Sequence, residues 1–495
     1  MGKYRYIRLL LVISFLTNAS IAVNQAIGAN PSPKQTSTPF EFCNAALSRI
    51  LQTREVFEPS AEELDEWLAK DLKAVEAALS KNDILPTSLR QISPLEKTKN
   101  EVFFSALKLV SRFIAKRNRT GFINGLGKIM NGIHDSPFSF LVKGSAFTRL
   151  RKLLNHPSIL KDGERTLQEY AQFQEDFERG IKAFQETYGN EYFNEETIAQ
   201  GAINSFAIKL FAKMNEETAA YDIPAANAIS LLHPVVDAAM DKGSMGKSTF
   251  AKLEKYLSEG ISPNIETDYE KLLFGYLKRF EFAFPRDKVP AFWFSLNRLF
   301  KSQVSSMKQI SSEYSDEFYY RLSLDKGGLS TVLAAYTSLG PLSERQYAFF
   351  YRSGGIFQLI DDLLDIQKDR DEGVKTAWTQ SIESKSSFAQ PLSRLLAAEK
   401  KFEELLPELT KDFENPKAFA EVYQFSFKLS LLRALARQRD FLDQKTLELV
   451  RNRLSLSLKS LNQLMSGQVF DAKYTQSSDP DLKFLNKLIE QTEKY

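Results

Sequence analysis

The spacing of apolar residues along most of the chain predicts helices. Between positions 62 and 79 they recur every three or four residues, which is the spacing of one helix face. The apolar positions in this segment are Leu64, Trp67, Leu68, Leu72, Val75 and Leu79. The same spacing predicts a helix over 101–114 and further helices, with interruptions, from 164 to 488. We find no strand-like alternation between turn signals, so the chain is predicted to be all-α.

A glycine-rich segment divides this helical pattern. Five glycines interrupt the segment 117–145: Gly121, Gly125, Gly127, Gly132 and Gly144. A phosphate-binding loop is one interpretation, but the spacing matches no strand–loop–helix motif, so a connecting loop is favoured. We place a domain boundary near residue 165, between an N-terminal helical region (41–165) and a second helical domain (166–495).

The first 22 residues have the pattern of an export signal. Lys3, Arg5 and Arg8 precede a short apolar segment at 9–16, and small residues follow at positions 20 and 22. A signal peptide over 1–22 and a polar linker over 23–40 predict an exported protein, periplasmic or secreted. The alternatives are a retained membrane anchor and a start codon assigned too far upstream.

Composition and charge narrow the classes of function. The formal net charge is only +3, with basic residues scattered among acidic ones, so nucleic-acid binding is not predicted. Cys43 is the only cysteine, which excludes an internal disulfide and a zinc ribbon. His134, His156 and His233 lack metal-ligand spacing, and no nucleophile-elbow motif accompanies them, which disfavours a hydrolase.

The most informative candidate chemistry is a cluster of acids within the apolar segment 354–365. On a helix, Gln358, Asp361 and Asp365 share one face, with Gly354 one turn earlier. Unpaired carboxylates are costly to bury, so they need a counter-charge. A hard divalent cation such as Mg²⁺ is the natural candidate.

The helix that carries these acids is predicted to begin after Pro341 and to end at Gly373. Phe349, Phe350 and Phe357 lie on it and could line an apolar cavity. Aromatic residues at helical spacing are more often ordinary core, so core packing is the favoured alternative for them.

Two further segments supply candidate ligands. Asp237 and Asp241 are one helical turn apart and share a face, although an exposed helix end is the alternative. Lys326 precedes Gly327 and Gly328, which predict a break in the helix. A lysine beside such a break could meet a diphosphate, and the alternative is an interhelix turn with a solvated lysine.

Together these segments resemble the class I isoprenoid synthases, which include the all-α trans-prenyltransferases and the squalene, phytoene and terpene synthases. Nine residues of this chain resemble the second aspartate-rich motif of that family: Phe357, Gln358, Asp361, Asp362, Asp365, Asp369, Gly373, Lys375 and Thr376. Asp237 and Asp241 fall where the first aspartate-rich motif would be, and Lys326 falls where the family has a diphosphate-binding lysine. The resemblance covers about residues 190–460. It implies a class I terpenoid synthase-like helical bundle with an N-terminal helical extension.

The resemblance also implies an activity: a Mg²⁺-dependent transferase or lyase of isoprenoid biosynthesis that ionises allylic prenyl diphosphates between two aspartate-rich helices. Three Mg²⁺ ions with bound diphosphate would be held by five carboxylates: Asp237, Asp241, Asp361, Asp362 and Asp365. The residues that would contact the substrate are Lys326, Gln358 and Lys375. The catalytic step would depend on Asp361, Asp237 and Lys326. The resemblance leaves a homodimer and membrane association open.

Departures from the family pattern bear on this activity. Ala238 stands where the first motif usually has its second aspartate, and the arginine pair that usually follows is missing. No upstream segment resembles the Gly-Lys-Arg motif with which chain-elongating members bind the homoallylic diphosphate. Leu232 and His233 occupy positions that set product length in family members. The alternative function is a non-catalytic helical protein that keeps the fold and binds a prenyl diphosphate.

Overall fold

A computed structural model gives the fold of five main segments, residues 55–89, 91–98, 246–310, 314–384 and 386–451. It also describes residues 51, 101, 208, 225, 228–232, 236, 453–454 and 457–460. Four predictions concern parts of the chain outside the described residues: the signal peptide, the linker, the domain boundary near residue 165 and the helix over 101–114, of which only Glu101 is described. Those four predictions stay predictions.

Every regular element in these segments is helical, and no strand occurs within them, which confirms the all-α prediction. The helices are α1 (Ala61–Ser80), α2 (Lys247–Glu259), α3 (Asp268–Ala283), α4 (Pro290–Ser306), α5 (Asp316–Leu339), α6 (Glu344–Leu364), α7 (Ile366–Asp371), α8 (Ala377–Glu383), α9 (Ala389–Leu409), α10 (Pro416–Arg437) and α11 (Gln444–Arg451). Residues 228–232 are also helical. None of the helices in the described part of the chain has both the length and the hydropathy needed to cross a bilayer.

Helix α1 confirms the helix predicted over 62–79. Ser60 accepts a hydrogen bond from the Glu63 backbone N–H, and the Glu63 side chain accepts one from the Ser60 N–H. This reciprocal capping box satisfies two backbone donors at the start of the helix. The apolar face carries Leu64 and Leu68 into the core, so α1 packs on the bundle.

Helices α5 and α6 form the centre of the bundle and its most extensive helix pair. Helix α4 packs on α5, whereas α9 and α10 pack on α6. Phe349 and Phe350 of α6 are buried in the core. The core alternative is therefore correct for both phenylalanines.

The helix break predicted at Gly327 and Gly328 is wrong. Helix α5 runs without interruption through both glycines. Their role is in packing, because a side chain at Gly327 would lie 2.6 Å from the Gly354 carbonyl oxygen of α6. The two helix backbones meet directly at this contact, which only glycines allow.

The predicted course of the acidic helix is wrong in one detail. Helix α6 begins after the capping residue Ser343, close to the predicted start, but it ends at Leu364. Asp365 is the junction with α7, where its backbone leaves the helical conformation. Gly373 follows α7 in the left-handed conformation (φ +71°), so the chain turns where predicted.

Candidate functional site

A cavity of about 360 Å³ lies between α2, α3, α4, α5, α6 and the helical residues near 230. Most of its walls are aliphatic, as at Leu253, Leu257 and Leu296. Its polar wall includes Gln358 and Asp361 of α6. A cavity of this size, mostly apolar with a few polar groups at one place, has the character of a small-molecule site.

Asp361 brings a carboxylate to this cavity. Asp361 is exposed to solvent and belongs to the residues that line the cavity. Desolvation, followed by repulsion from Asp365 and Asp362, raises the pKa of Asp361 to about 7. Arg433 and Lys326 act in the opposite direction. A carboxyl group with this pKa in a cleft is a candidate for binding or catalysis.

Asp362 faces a different environment from Asp361. Its two oxygens accept hydrogen bonds from Ser323 Oγ of α5, at 2.5 Å, and from Gln358 Nε2, at 3.0 Å. Burial raises the pKa of Asp362, and the hydrogen bonds from Ser323 and Gln358 oppose that increase. Asp362 therefore links α5 to α6.

Asp365 and Asp369 continue the series of acidic residues, and neither is among the residues that line the cavity. Asp365 Oδ1 lies 3.7 Å from Arg437 Nη1 of α10. Burial is the main cause that raises the pKa of Asp369 to about 8, and repulsion from the other three aspartates adds to it. These four carboxylates thus share one strongly negative region.

Three basic residues face this negative region. Lys326 of α5 is half-buried and lowers the pKa values of Asp361 and Asp362 by its charge. The structure therefore brings together Lys326 and Asp361, which are 35 positions apart in the sequence. Arg433 and Arg437 of α10 add two more positive charges, near Asp361 and Asp365 respectively.

The sequence prediction missed Arg433 and Arg437. The only signal in the sequence is that they lie four residues apart, so they share one face of a predicted helix. Nothing in that spacing identifies α6 as the partner of this face.

Lys375, which is predicted to contact the substrate, lies on the segment between α7 and α8. Its ammonium group lies 3.7 Å from Glu383 Oε2, and it is not among the residues that line the cavity. The backbone of Lys375 pairs with Gln309 through two hydrogen bonds of 3.2 and 2.7 Å. These bonds connect the segment after α7 to the short 3-10 helix Met307–Gln309, which follows α4.

The first aspartate-rich segment lies outside the described residues. This applies to Asp237, Asp241, His233 and Ala238. Val236, which precedes Asp237 in the chain, lines the cavity, and so does Leu232.

The oxygen donors of the acidic face suit Mg²⁺, which usually binds through one or two carboxylates, several waters and substrate phosphates. Asp361 offers its carboxylate to the cavity, and Asp365 follows one turn later. Within the described residues, no three acidic, histidine or cysteine side chains converge as a complete metal site. By the chemistry of their oxygen donors, Asp361 and Asp365 would suit Mg²⁺ if a phosphate ligand and water completed the shell.

No protein-family model matches the chain, and no curated protein is significantly similar to it.

Proposed function

We propose that the protein is a Mg²⁺-dependent enzyme of the class I isoprenoid synthase type, which ionises an allylic prenyl diphosphate. The observation that carries this proposal is the position of Asp361. Asp361 lies at the polar wall of an aliphatic cavity, and the positive charges of Lys326 and Arg433 are close enough to lower its pKa.

The two halves of a prenyl diphosphate have opposite requirements, and the cavity offers both. The hydrocarbon tail would be buried against aliphatic walls, which favour it at roughly 25 cal/mol per Å² of apolar area. The diphosphate would lie at the polar wall, where Lys326 and Arg433 would stabilise its charge.

Asp361 of the polar wall and two charged residues near it, Asp365 and Lys326, would divide the work of ionisation. Asp361 and Asp365 would hold Mg²⁺, which supplies Lewis-acid stabilisation of the departing diphosphate. Lys326 would donate hydrogen bonds to diphosphate oxygens as the carbon–oxygen bond breaks. The aliphatic walls would keep water away from the allylic cation.

The second candidate is a non-catalytic protein that binds a prenyl diphosphate at the same cavity. Ala238 favours it, because a carboxylate is missing from the first aspartate-rich segment. Both candidates require Mg²⁺-dependent binding, but only the enzyme releases pyrophosphate.

The test uses purified protein with Mg²⁺ and labelled dimethylallyl, geranyl, farnesyl and geranylgeranyl diphosphates, with and without isopentenyl diphosphate. We expect pyrophosphate release that falls by about 100-fold or more in Asp361→Ala. Asp287→Ala is the control, because Asp287 is exposed in the loop before α4. Binding without release by wild type would favour the non-catalytic candidate. If the wild-type protein shows no binding and no pyrophosphate release, both candidates are rejected.

A further inference from the structure

A buried ionic network lies beside Lys326, centred on the preceding residue of α5. Asp325 is only 9% exposed. Its Oδ1 accepts hydrogen bonds from Arg298 Nε at 3.0 Å and from Tyr351 OH at 2.7 Å. Its Oδ2 accepts one from Ser302 Oγ at 2.5 Å. One carboxylate is thus fixed by α4 on one side and by α6 on the other.

The network continues to the N-terminal helix through Arg298. Its Nη2 donates to Asp65 Oδ1 of α1 at 2.7 Å, and its Nη1 donates to the Ala61 carbonyl oxygen at 3.2 Å. The Arg298 guanidinium is therefore held at both ends, which leaves little freedom for the Asp325 carboxylate.

Stability alone does not explain this network. A buried ion pair is often no more stabilising than apolar residues of similar volume, because both charges must be desolvated. A more specific role is to fix the register of packed elements. At Gly327 and Gly354 the backbones of α5 and α6 meet directly, and Asp325 adds hydrogen bonds that join this part of α5 to α4 and α6.

The same turn of α5 carries both groups that face the acidic cluster. Ser323 donates to Asp362, and Lys326 lies within electrostatic reach of Asp361 and Asp362. A small rotation or shift of α5 would move both groups relative to α6, because they share one rigid helix. Asp325 is the residue of this turn that is tied to α4 and α6 together.

We propose that Asp325 is a positioning residue, which holds the turn of α5 so that Lys326 meets the diphosphate bound at the acidic face of α6. The identity of the ligand as a diphosphate rests on the proposed function. The positioning depends on hydrogen-bond geometry, so asparagine at position 325 can keep much of it and alanine cannot.

The test measures Mg²⁺-dependent binding of inorganic diphosphate by calorimetry, well below the unfolding temperature of each variant. We expect Asp325→Ala to weaken binding by about 10–100-fold, the usual effect of losing a residue that orients a ligand-binding group. Asp325→Asn should retain affinity within about threefold, because it can still bond to Tyr351 and Ser302.

A thermodynamic cycle with Lys326→Ala separates positioning from general loss of structure. If Asp325 acts through Lys326, Asp325→Ala should have no further effect on affinity in the Lys326→Ala background. The matched control is Asp71→Ala, which removes an acid of α1 paired with Arg352 at 2.7 Å. Its affinity should equal that of wild type. If Asp325→Ala does not fold, Tyr351→Phe removes one of the three bonds and enters the same cycle.

The outcomes distinguish failure of the positioning role from failure of the proposed function. Unchanged affinity in Asp325→Ala, an additive effect in the cycle, or an equal loss in Asp71→Ala would overturn the positioning role alone. A wild-type chain that binds no diphosphate with Mg²⁺ would overturn the proposed function, and the positioning role with it.

Discussion

Asp361 and Asp362 are adjacent in the chain, but their carboxylates have different surroundings. Successive residues on a helix point about 100° apart, so Asp361 faces the cavity and Asp362 faces α5. The raised pKa of Asp361 means that its ionised form is held at a cost to the folded state. Asp362 instead receives two hydrogen bonds.

We predict that these two aspartates respond differently to neutralisation in the metal-free protein. Asp361→Asn should raise the melting temperature at pH 8, because it removes repulsion with Asp365 and Asp362. Asp362→Ala should lower the free energy of unfolding by about 1–3 kcal/mol, because Ser323 and Gln358 lose a charged partner. Thermal and urea denaturation measure both changes. A destabilised Asp361→Asn would contradict the repulsion of Asp361 by Asp365 and Asp362.

Glu399 is a buried acid far from the cavity walls. It is fully buried on α9, and its Oε2 accepts a hydrogen bond from Tyr423 OH of α10. Its Oε1 has no hydrogen-bond partner within the described residues. Burial raises the pKa of Glu399 well above its ordinary value, with a smaller contribution from the charge of Glu403. Burial therefore favours the protonated form of this carboxyl group in the folded protein.

We predict that Glu399→Gln stabilises the protein increasingly as the pH rises. In wild type, the pKa of Glu399 is higher in the folded than in the unfolded state, so its contribution to stability is fully present below about pH 4.5 and is lost progressively as the pH rises above that value. The advantage of the glutamine variant should grow by up to about 1.4 kcal/mol per pH unit above that value. Urea denaturation between pH 5 and 8 measures it.

Glu403→Gln provides the control for this prediction. Glu403 accepts hydrogen bonds from the backbone and side chain of Thr87 and from the Ser88 backbone. Its amide variant should therefore be less stable than wild type at every pH. A pH-independent effect of Glu399→Gln would show that Glu399 is ionised in the folded protein.

At the scale of elements, the contact between α5 and α6 is the most constrained in the bundle. A methyl group added at Gly354 would lie 2.2 Å from Thr331 Oγ1 and 2.4 Å from the Gly327 carbonyl oxygen. A methyl group at Gly328 would lie 2.5 Å from the Tyr351 carbonyl oxygen. The backbones themselves obstruct these positions, so side-chain rotation cannot relieve the clash at Gly328.

We predict that Gly354→Ala lowers the free energy of unfolding by about 1–3 kcal/mol, the usual cost of overpacking, although alanine is the better helix former. Gly246→Ala, at the start of α2, is the control, because no atom lies within 4 Å of the added methyl group. Its effect should be under about 1 kcal/mol. Equal effects of the two substitutions would mean that α5 and α6 are less closely packed than described.

The elements that could be predicted from the sequence are those with local signals. The start and spacing of α1 follow from its own residues, as does the turn at Gly373. The role of Gly327 and Gly328 could not be predicted, because it depends on α6. A glycine pair has the same local signal whether it breaks a helix or admits a neighbouring backbone. The break at Asp365 also lacked a local signal.

At the scale of the whole molecule, the site is assembled from distant parts of the chain. The sequence identified Asp361 and Lys326 through a motif resemblance, and the fold brings them close together. Arg433 could not be found in this way, because its relation to Asp361 exists only when α10 packs on α6. The helical spacing did set Asp361 and Asp365 on one face apart from Asp362, but the bond from Ser323 to Asp362 depends on α5 and could not be predicted.

Helix α1 belongs to the same packed core as the bundle. The rings of Phe57 and Trp67 stack with centroids 5.5 Å apart, and both contact Tyr347 of α6 edge-on. Four acids in or just after α1 pair with basic residues of α4, α6 and α9: Asp65 with Arg298, Asp71 with Arg352, Glu76 with Arg394 and Asp83 with Lys400. Such pairs contribute little individually near the surface, so apolar packing dominates the attachment.

This shared core predicts that α1 and the bundle unfold together. The chain has three tryptophans, Trp67, Trp293 and Trp378, so Trp293→Phe with Trp378→Phe leaves Trp67 as a fluorescent probe of α1 alone. In that variant, the urea midpoint from Trp67 fluorescence should coincide with the midpoint from circular dichroism, which reports all helices. Coincidence follows because unfolding α1 would expose Leu64, Leu68 and the face of Tyr347 that it covers. An earlier Trp67 transition would mean that α1 detaches as an independent extension. The same measurement at high salt distinguishes apolar packing from charge pairing as the main attachment of α1. If apolar packing holds α1, the two midpoints should stay together, and if the four charge pairs hold it, salt should weaken them and the midpoints should separate.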